Sequence, residues 1–261
     1  FPDASDFAQT QYYYAELMWA RAENEKTARL QTELWENAAV AFTDVVKLGK
    51  VDDKTRKESA YATVQAWKNA LNVDPRLKKP TDVAAIDDKT DKVPPPVEIP
   101  AREQKMLAAF DVYITYIKDP KDDDLVGMKF HKANTYRKYH HYTEATPLFL
   151  EILEKHRTHE TAEYSANLLL DTYNRTQQYD ELAALADKLG DDKKFLEGKD
   201  DLKTRLDQIK VVSMRKKSEK LEKEAKASGD FGKYVLCGQS YLDIYNRNPE
   251  ADGADEVLYN A

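Results

Sequence analysis

The 261-residue chain has one cysteine, eight glycines and no long apolar run. A lone Cys237 excludes an internal disulfide and any zinc site built on several thiolates. Crossing a bilayer as a helix takes about 20 consecutive apolar residues, and charge interrupts every apolar stretch here before that length. No segment alternates with period two for long enough to read as a strand. No glycine-rich phosphate loop is present. Positive charge is also in short supply: 40 Lys and Arg against 47 Asp and Glu leave a net charge of −7. That argues against a general nucleic-acid binder, which needs a positive face to displace counterions.

What remains is a water-loving, helix-favouring composition. Charged residues make up 33%, yet 41% is hydrophobic, enough to build a core and to exclude the disordered class. Sixteen tyrosines stand out. A tyrosine can fill a seam between helices with its ring while its hydroxyl reaches water. The chain starts at Phe1 and stops in DEVLYNA, inside what reads as a new helix; the expectation is a mature or excised piece of a longer protein.

Apolar residues recur at helical spacing along most of the chain. The pattern predicts helices over 7–23, 30–48, 54–72, 101–118, 124–139, 142–155, 160–175, 179–189 and 231–247, with a charged, interrupted helical stretch at 193–228. Residues 75–100 break it. They hold six prolines, three of them consecutive, which favour polyproline II and cannot sit inside a helix. The expectation is a mobile insertion between two partner helices. The division that follows is an N-terminal hairpin plus the next first helix (1–74), the insertion (75–100), paired helices (101–190), and a charged segment with a last hairpin and the start of another (191–261).

The chain also echoes itself. TYRKYHHYTEATPLF at 135–149 returns as TYNRTQQYDELAALA at 172–186, a shift of 37. Tyr136 pairs with Tyr173, Tyr142 with Tyr179 and Glu144 with Glu181. A third copy runs from Tyr234. In each, a small or moderate residue follows three positions after the opening tyrosine (Ala145, Leu182, Cys237), and a packing residue four later (Phe149, Ala186, Tyr241). Spacings of three and four keep these on one helix face, and a small residue lets two helices approach closely. A single hairpin cannot cover its apolar face, so neighbours stack.

This pattern resembles the tetratricopeptide repeat (TPR) family. Ala133, Tyr136, Ala145, Phe149 and Ile152 match its signature places in the best copy. Leu170, Tyr173, Leu182 and Ala186 match in the next, and Ala225, Cys237, Tyr241, Ile244 and Pro249 in the last. The sequence departs from the family in lacking the Trp-x-x-Leu-Gly opening, in the large Leu182, and in copies 37 and then 55 residues apart. The resemblance implies an all-α, right-handed α-solenoid of stacked hairpins, about five and the start of a sixth. It implies a non-catalytic scaffold that binds a protein or peptide, with no cofactor and no metal. YYYAEL, ESAYATVQAW and NLLLDTYN are similar to long TPR proteins of the bacterial envelope, including periplasmic and lipoprotein scaffolds of outer-membrane assembly and gliding motility. In the family, first helices line a concave binding face. By that analogy Phe130, Asn134, Arg137 and Lys138 of one repeat, and Asn167, Asp171, Asn174 and Arg175 of the next, contact the partner. Asn and Arg suit an extended backbone or a carboxylate.

Other residues invite chemistry. His140-His141, with His131, His156 and His159, form the alternative of a helical metal-dependent enzyme; a purely structural spacer is another. Against the metal, the second copy has Gln177-Gln178 in the slots of His140-His141, and His156 and His159 lack the zinc-protease spacing. Asp230-Phe231-Gly232 spells a kinase magnesium motif but lacks the loops that accompany it; Asp230 reads instead as a helix cap. Asp122–Asp124 read as caps of the helix starting near Leu125. MRKKSEKLEKEAK at 214–226 reads as a solvated, ion-paired helix, and Cys237 as a buried small residue.

Overall fold

The computed structural model describes residues 5–73, 93–119, 121–247, 249 and 253–261. Among them are eleven α-helices and no strand. They are α1 (Ser5–Asn24), α2 (Ala28–Leu48), α3 (Asp53–Val73), α4 (Ala101–Tyr116), α5 (Asp123–Lys138), α6 (Tyr142–Lys155), α7 (Thr161–Arg175), α8 (Tyr179–Gly190), α9 (Asp200–Ser228), α10 (Phe231–Arg247) and α11 (Ala254–Asn260). The fold is all-α, as the periodicity predicts. Two compact units divide the chain, Phe1–Ser165 and Ala166–Ala261, with the division inside α7.

In the first unit each helix packs on the next: α1 on α2, α2 on α3, α3 on α4, α4 on α5, and α5 on α6. The sequence explains the closeness. Ala22, Ala38, Ala60, Ala66, Ala70 and Ala109 are all buried in one cluster, and small side chains let helix axes approach. Between them stand rings. Trp19 meets Trp35 edge-on, centroids 4.8 Å apart at 87°, and both Trp19 and Tyr12 meet Phe42 edge-on. Such pairs contribute about 0.5–1.5 kcal/mol each beyond the area they bury. α2 stops at Gly49, whose left-handed backbone (φ 65°) turns its N–H back to the Val45 carbonyl; glycine adopts that conformation without a Cβ clash.

One carboxylate ties three of these helices. Asp122 caps α5, its Oδ1 accepting the Asp124 N–H at 3.0 Å. Its Oδ2 accepts the Tyr113 hydroxyl of α4 at 3.0 Å and lies 3.0 Å from Lys57 Nζ of α3. Tyr113 is fully buried. Burial, and then Asp122, push its phenol far above the usual range. The same carboxylate holds the Lys57 ammonium above its ordinary value.

The insertion departs from expectation over its last eight residues; 74–92 lie outside the described residues. Residues 93–100 form an extended strap that packs on the turn between α5 and α6. Ile99 joins the buried cluster, its carbonyl accepts Gln104 Nε2 at 2.7 Å, and the Val97 N–H donates to the Tyr139 carbonyl at 2.9 Å. The insertion does fall between partner helices, since α3 and α4 pack together.

In the second unit α8 packs on α9, α9 on α10 and α10 on α11. The stretch predicted as an interrupted helix from 193 is a turn over 193–198 followed by one unbroken helix, α9. Its buried face is modest: Leu202, Leu206, Ser213, Ser218 and Ala225. Polar contacts supplement it. Ser218 Oγ lies 2.7 Å from Ser240 Oγ, and Lys210 and Lys217 reach Asp187 and Asp180 of α8. At the far side Cys237, Tyr241 and Val257 form a small core. A Cβ on Gly238 would lie 2.5 Å from the Ala261 carbonyl oxygen, so only glycine lets α11 end so close to α10.

Candidate functional site

The two echoing segments fold into turns with the same hydrogen bonds. After α5, the His140 N–H donates to Arg137 O at 3.0 Å and the His141 N–H to Tyr136 O at 2.9 Å. After α7, the Gln177 N–H donates to Asn174 O at 3.2 Å and the Gln178 N–H to Tyr173 O at 2.9 Å. Both are Schellman endings, which satisfy the last helical carbonyls through a left-handed residue. That residue is His140 (φ 63°) in one and Gln177 (φ 56°) in the other. The tyrosines that begin the second helices sit at equivalent places, Tyr142 opening α6 and Tyr179 opening α8. Ala145, Leu182 and Cys237 are all buried, as are Phe149, Ala186 and Tyr241. The third copy differs at its start: α10 begins at Phe231, three residues before Tyr234.

The histidine pair faces the strap. His140 Nδ1 lies 3.1 Å from the Pro95 carbonyl oxygen and His141 Nε2 lies 2.9 Å from that of Val97. A carbonyl only accepts, so each of these ring nitrogens carries its proton. The His140 ring stacks on Tyr142. The Gln177-Gln178 turn therefore shares the backbone of the His140-His141 turn, while the histidine rings serve a strap specific to the first copy. His159 Nδ1 accepts the Thr161 N–H at 3.2 Å at the start of α7, and His156 closes α6, its N–H donating to Ile152 O. Loss of hydration, and then Lys129, hold the His156 imidazole below its usual range. Among the described residues, no group of three or more His, Cys, Asp or Glu is gathered as a metal ion would need.

On α5, the proposed contact residues separate. Phe130 is half-buried, edge-on to Phe149 at 6.1 Å and beside Tyr164. Asn134 is exposed on a groove. Arg137 is half-buried. Lys138 turns to α4, 3.2 Å from Glu103, with its ammonium over the Tyr139 ring. Burial opposes its charge, but Glu103 and Tyr139 together raise it above the ordinary lysine range.

On α7 two of the four are engaged by α9. Asn167 Oδ1 accepts Arg205 Nη1 at 3.0 Å and Asn174 Oδ1 accepts Lys216 Nζ at 3.1 Å. Arg175 is paired with Asp171 at 2.7 Å, one turn apart. Asp171, Asn174, Arg205, Gln208 and Lys216 line a groove of about 310 Å³. The α9 partners were not legible in the sequence: their charges read as ordinary helix-surface ions.

A second groove, of about 430 Å³, lies within the first unit between α3, α4 and α5 and the turn before α7. Of its lining residues only Asn134 was an expected partner contact; His131 and His159 belonged to the metal alternative. Phe110 and Met128, both buried, form its floor. The His131 ring stacks on Phe110, centroids 6.3 Å apart at 18°. Loss of hydration, and then the charge of Lys68, hold that imidazole below its usual range.

The remaining candidates are structural. Asp230 Oδ1 accepts the Gly232 N–H at 2.8 Å at the start of α10. The Cys237 thiol is buried and donates to Ser218 O; burial, then Glu222, push it up and away from thiolate chemistry. In α9, Arg215–Glu219 and Lys226–Glu222 pair one turn apart. No helix among the described residues is long and apolar enough to cross a membrane. No protein-family model matches the chain, and no curated protein matches its sequence.

Proposed function

We propose that the chain is a TPR-like α-solenoid that works as a non-catalytic scaffold, binding a protein or peptide segment along its first helices. The observation that carries this reading is the repeated hairpin. α5–α6 and α7–α8 share a 37-residue register, a left-handed residue at the same turn position and the same buried seam positions. A unit built to stack leaves the outer face of its first helices for a ligand. On α7 that face carries Asn167, Asp171 and Asn174 beside Arg205 and Lys216 of α9, a set that suits carboxylates and extended backbone. The resemblance to envelope TPR proteins extends the proposal to a bacterial cell-envelope assembly, such as outer-membrane assembly or gliding motility.

The test is affinity capture from a native envelope extract. Arg137→Glu with Arg175→Glu should preserve the helical circular dichroism and abolish capture of the partner that the parent retains. Equal capture by both chains rejects the scaffold reading in favour of a spacer. The rival enzyme reading predicts instead that zinc or nickel raises the melting temperature and that His140→Ala or His156→Ala removes the rise.

A further inference from the structure

We infer that the groove between α3 and α5 takes an extended peptide segment of about five residues, seating an apolar side chain over Met128 and Phe110 and a lysine or arginine against Asp123, Asp124 and Glu160. This rests on the scaffold reading and gives it a second, chemically distinct contact site.

Near the start of α3, Lys57 meets Asp122 and Asp124 at the start of α5. Further along α3, Lys68 lines the same groove as His131, further along α5. The two helices thus run side by side in the same sense, with α4 beneath them supplying Phe110 and Met106. The lining residues of α5 include Asp123, Asp124, Gly127, Met128, His131 and Asn134. They recur at helical spacing and make one continuous stripe. At 1.5 Å per residue that stripe is about 17 Å long, which matches about five residues of extended chain at ~3.3 Å each.

The chemistry changes along it. At the start of α5, Asp123 and Asp124 are joined by Glu160 from the turn before α7, and all three are exposed. Lys57, 3.8 Å from Asp124, answers part of this charge. The middle is apolar, with Met128 able to adjust to the shape of an incoming side chain and Phe110 stacked on the His131 ring. At the far end Gln65 and Asn134 offer amide groups to a peptide backbone beside Lys68. A ligand that places a cation, then an apolar group, then free peptide bonds in that order satisfies each part.

The full chain is titrated, by fluorescence anisotropy, into three labelled six-residue peptides with blocked ends. One carries two arginines followed by leucine and tryptophan. The second replaces the arginines with glutamates, and the third replaces leucine and tryptophan with serines. Saturable binding of the first, at least about tenfold tighter than either other, is the expected result. Asp123→Arg with Glu160→Arg, both changes at exposed positions, should reverse the preference toward the glutamate peptide. No saturation with the arginine peptide, equal binding of all three, or an unchanged preference in the double variant overturns the assignment. Capture of a native partner separates the two proposals: retained by this double variant but lost by Arg137→Glu with Arg175→Glu, it leaves the scaffold standing and removes this groove from it.

Discussion

Asp122 is the residue on which the first unit most depends. It satisfies an orphan N–H at the start of α5, receives the hydroxyl of a fully buried tyrosine, and neutralises Lys57. Truncation removes a cap, typically about 1 kcal/mol, and leaves the Tyr113 hydroxyl buried without its partner, about 1–3 kcal/mol. Asp122→Ala should therefore destabilise by roughly 3 kcal/mol in urea unfolding. Much of that loss should vanish when Tyr113→Phe is the background, because the hydroxyl is no longer there to strand. The two left-handed residues give a contrast of opposite sign. Gln177 sits at φ 56° where only glycine is free of strain. Gln177→Gly should raise stability by about 0.5–1 kcal/mol, the left-handed strain less the added freedom of the unfolded chain. His140→Gly relieves the same strain but deletes the ring that meets Pro95, so it should not stabilise. Equal gains from both, read from denaturant midpoints, would mean that the His140 ring contributes nothing to holding the strap.

At the scale of the element, the sequence was informative where packing imposes a short period. Ala145, Phe149 and Ile152 recur at three and four residues because they share a face of α6, and all three are buried. Ala145→Glu should cost several kcal/mol, since it drives a charge into a close helix contact; a variant that melts like the parent would show the register to be misplaced. The strap was less legible. Its partners lie more than 40 positions away, His140 for Pro95 and His141 for Val97, and an extended proline-rich segment carries no periodicity to announce its partner. α9 failed the reading differently. Its high charge looked like an interruption, yet Lys210 and Lys217 pair with α8 and let one long helix persist on little apolar surface. α10 begins at Phe231, as its periodicity and the Asp230 cap predict, so Tyr234 lies inside the helix where Tyr142 and Tyr179 open theirs.

At the scale of the whole molecule, the claim is that a repeated hairpin serves to display its first helices. The candidate contact residues were read from analogy. Of the α7 set, Asp171 and Asn174 line a groove with α9, while Lys138 is engaged by α4 and Phe130 is half-buried against α6. The grooves themselves join residues from three or four segments, Phe110, His131 and Glu160 among them, and no local pattern in a single sequence marks such a meeting. Hydrogen exchange of the full chain, alone and with the partner recovered from native extract, addresses the claim directly. The account predicts that binding slows exchange along α5 and α7, the first helices of the two echoing hairpins. Protection confined to α6 and α8, with α5 and α7 unchanged, would contradict it.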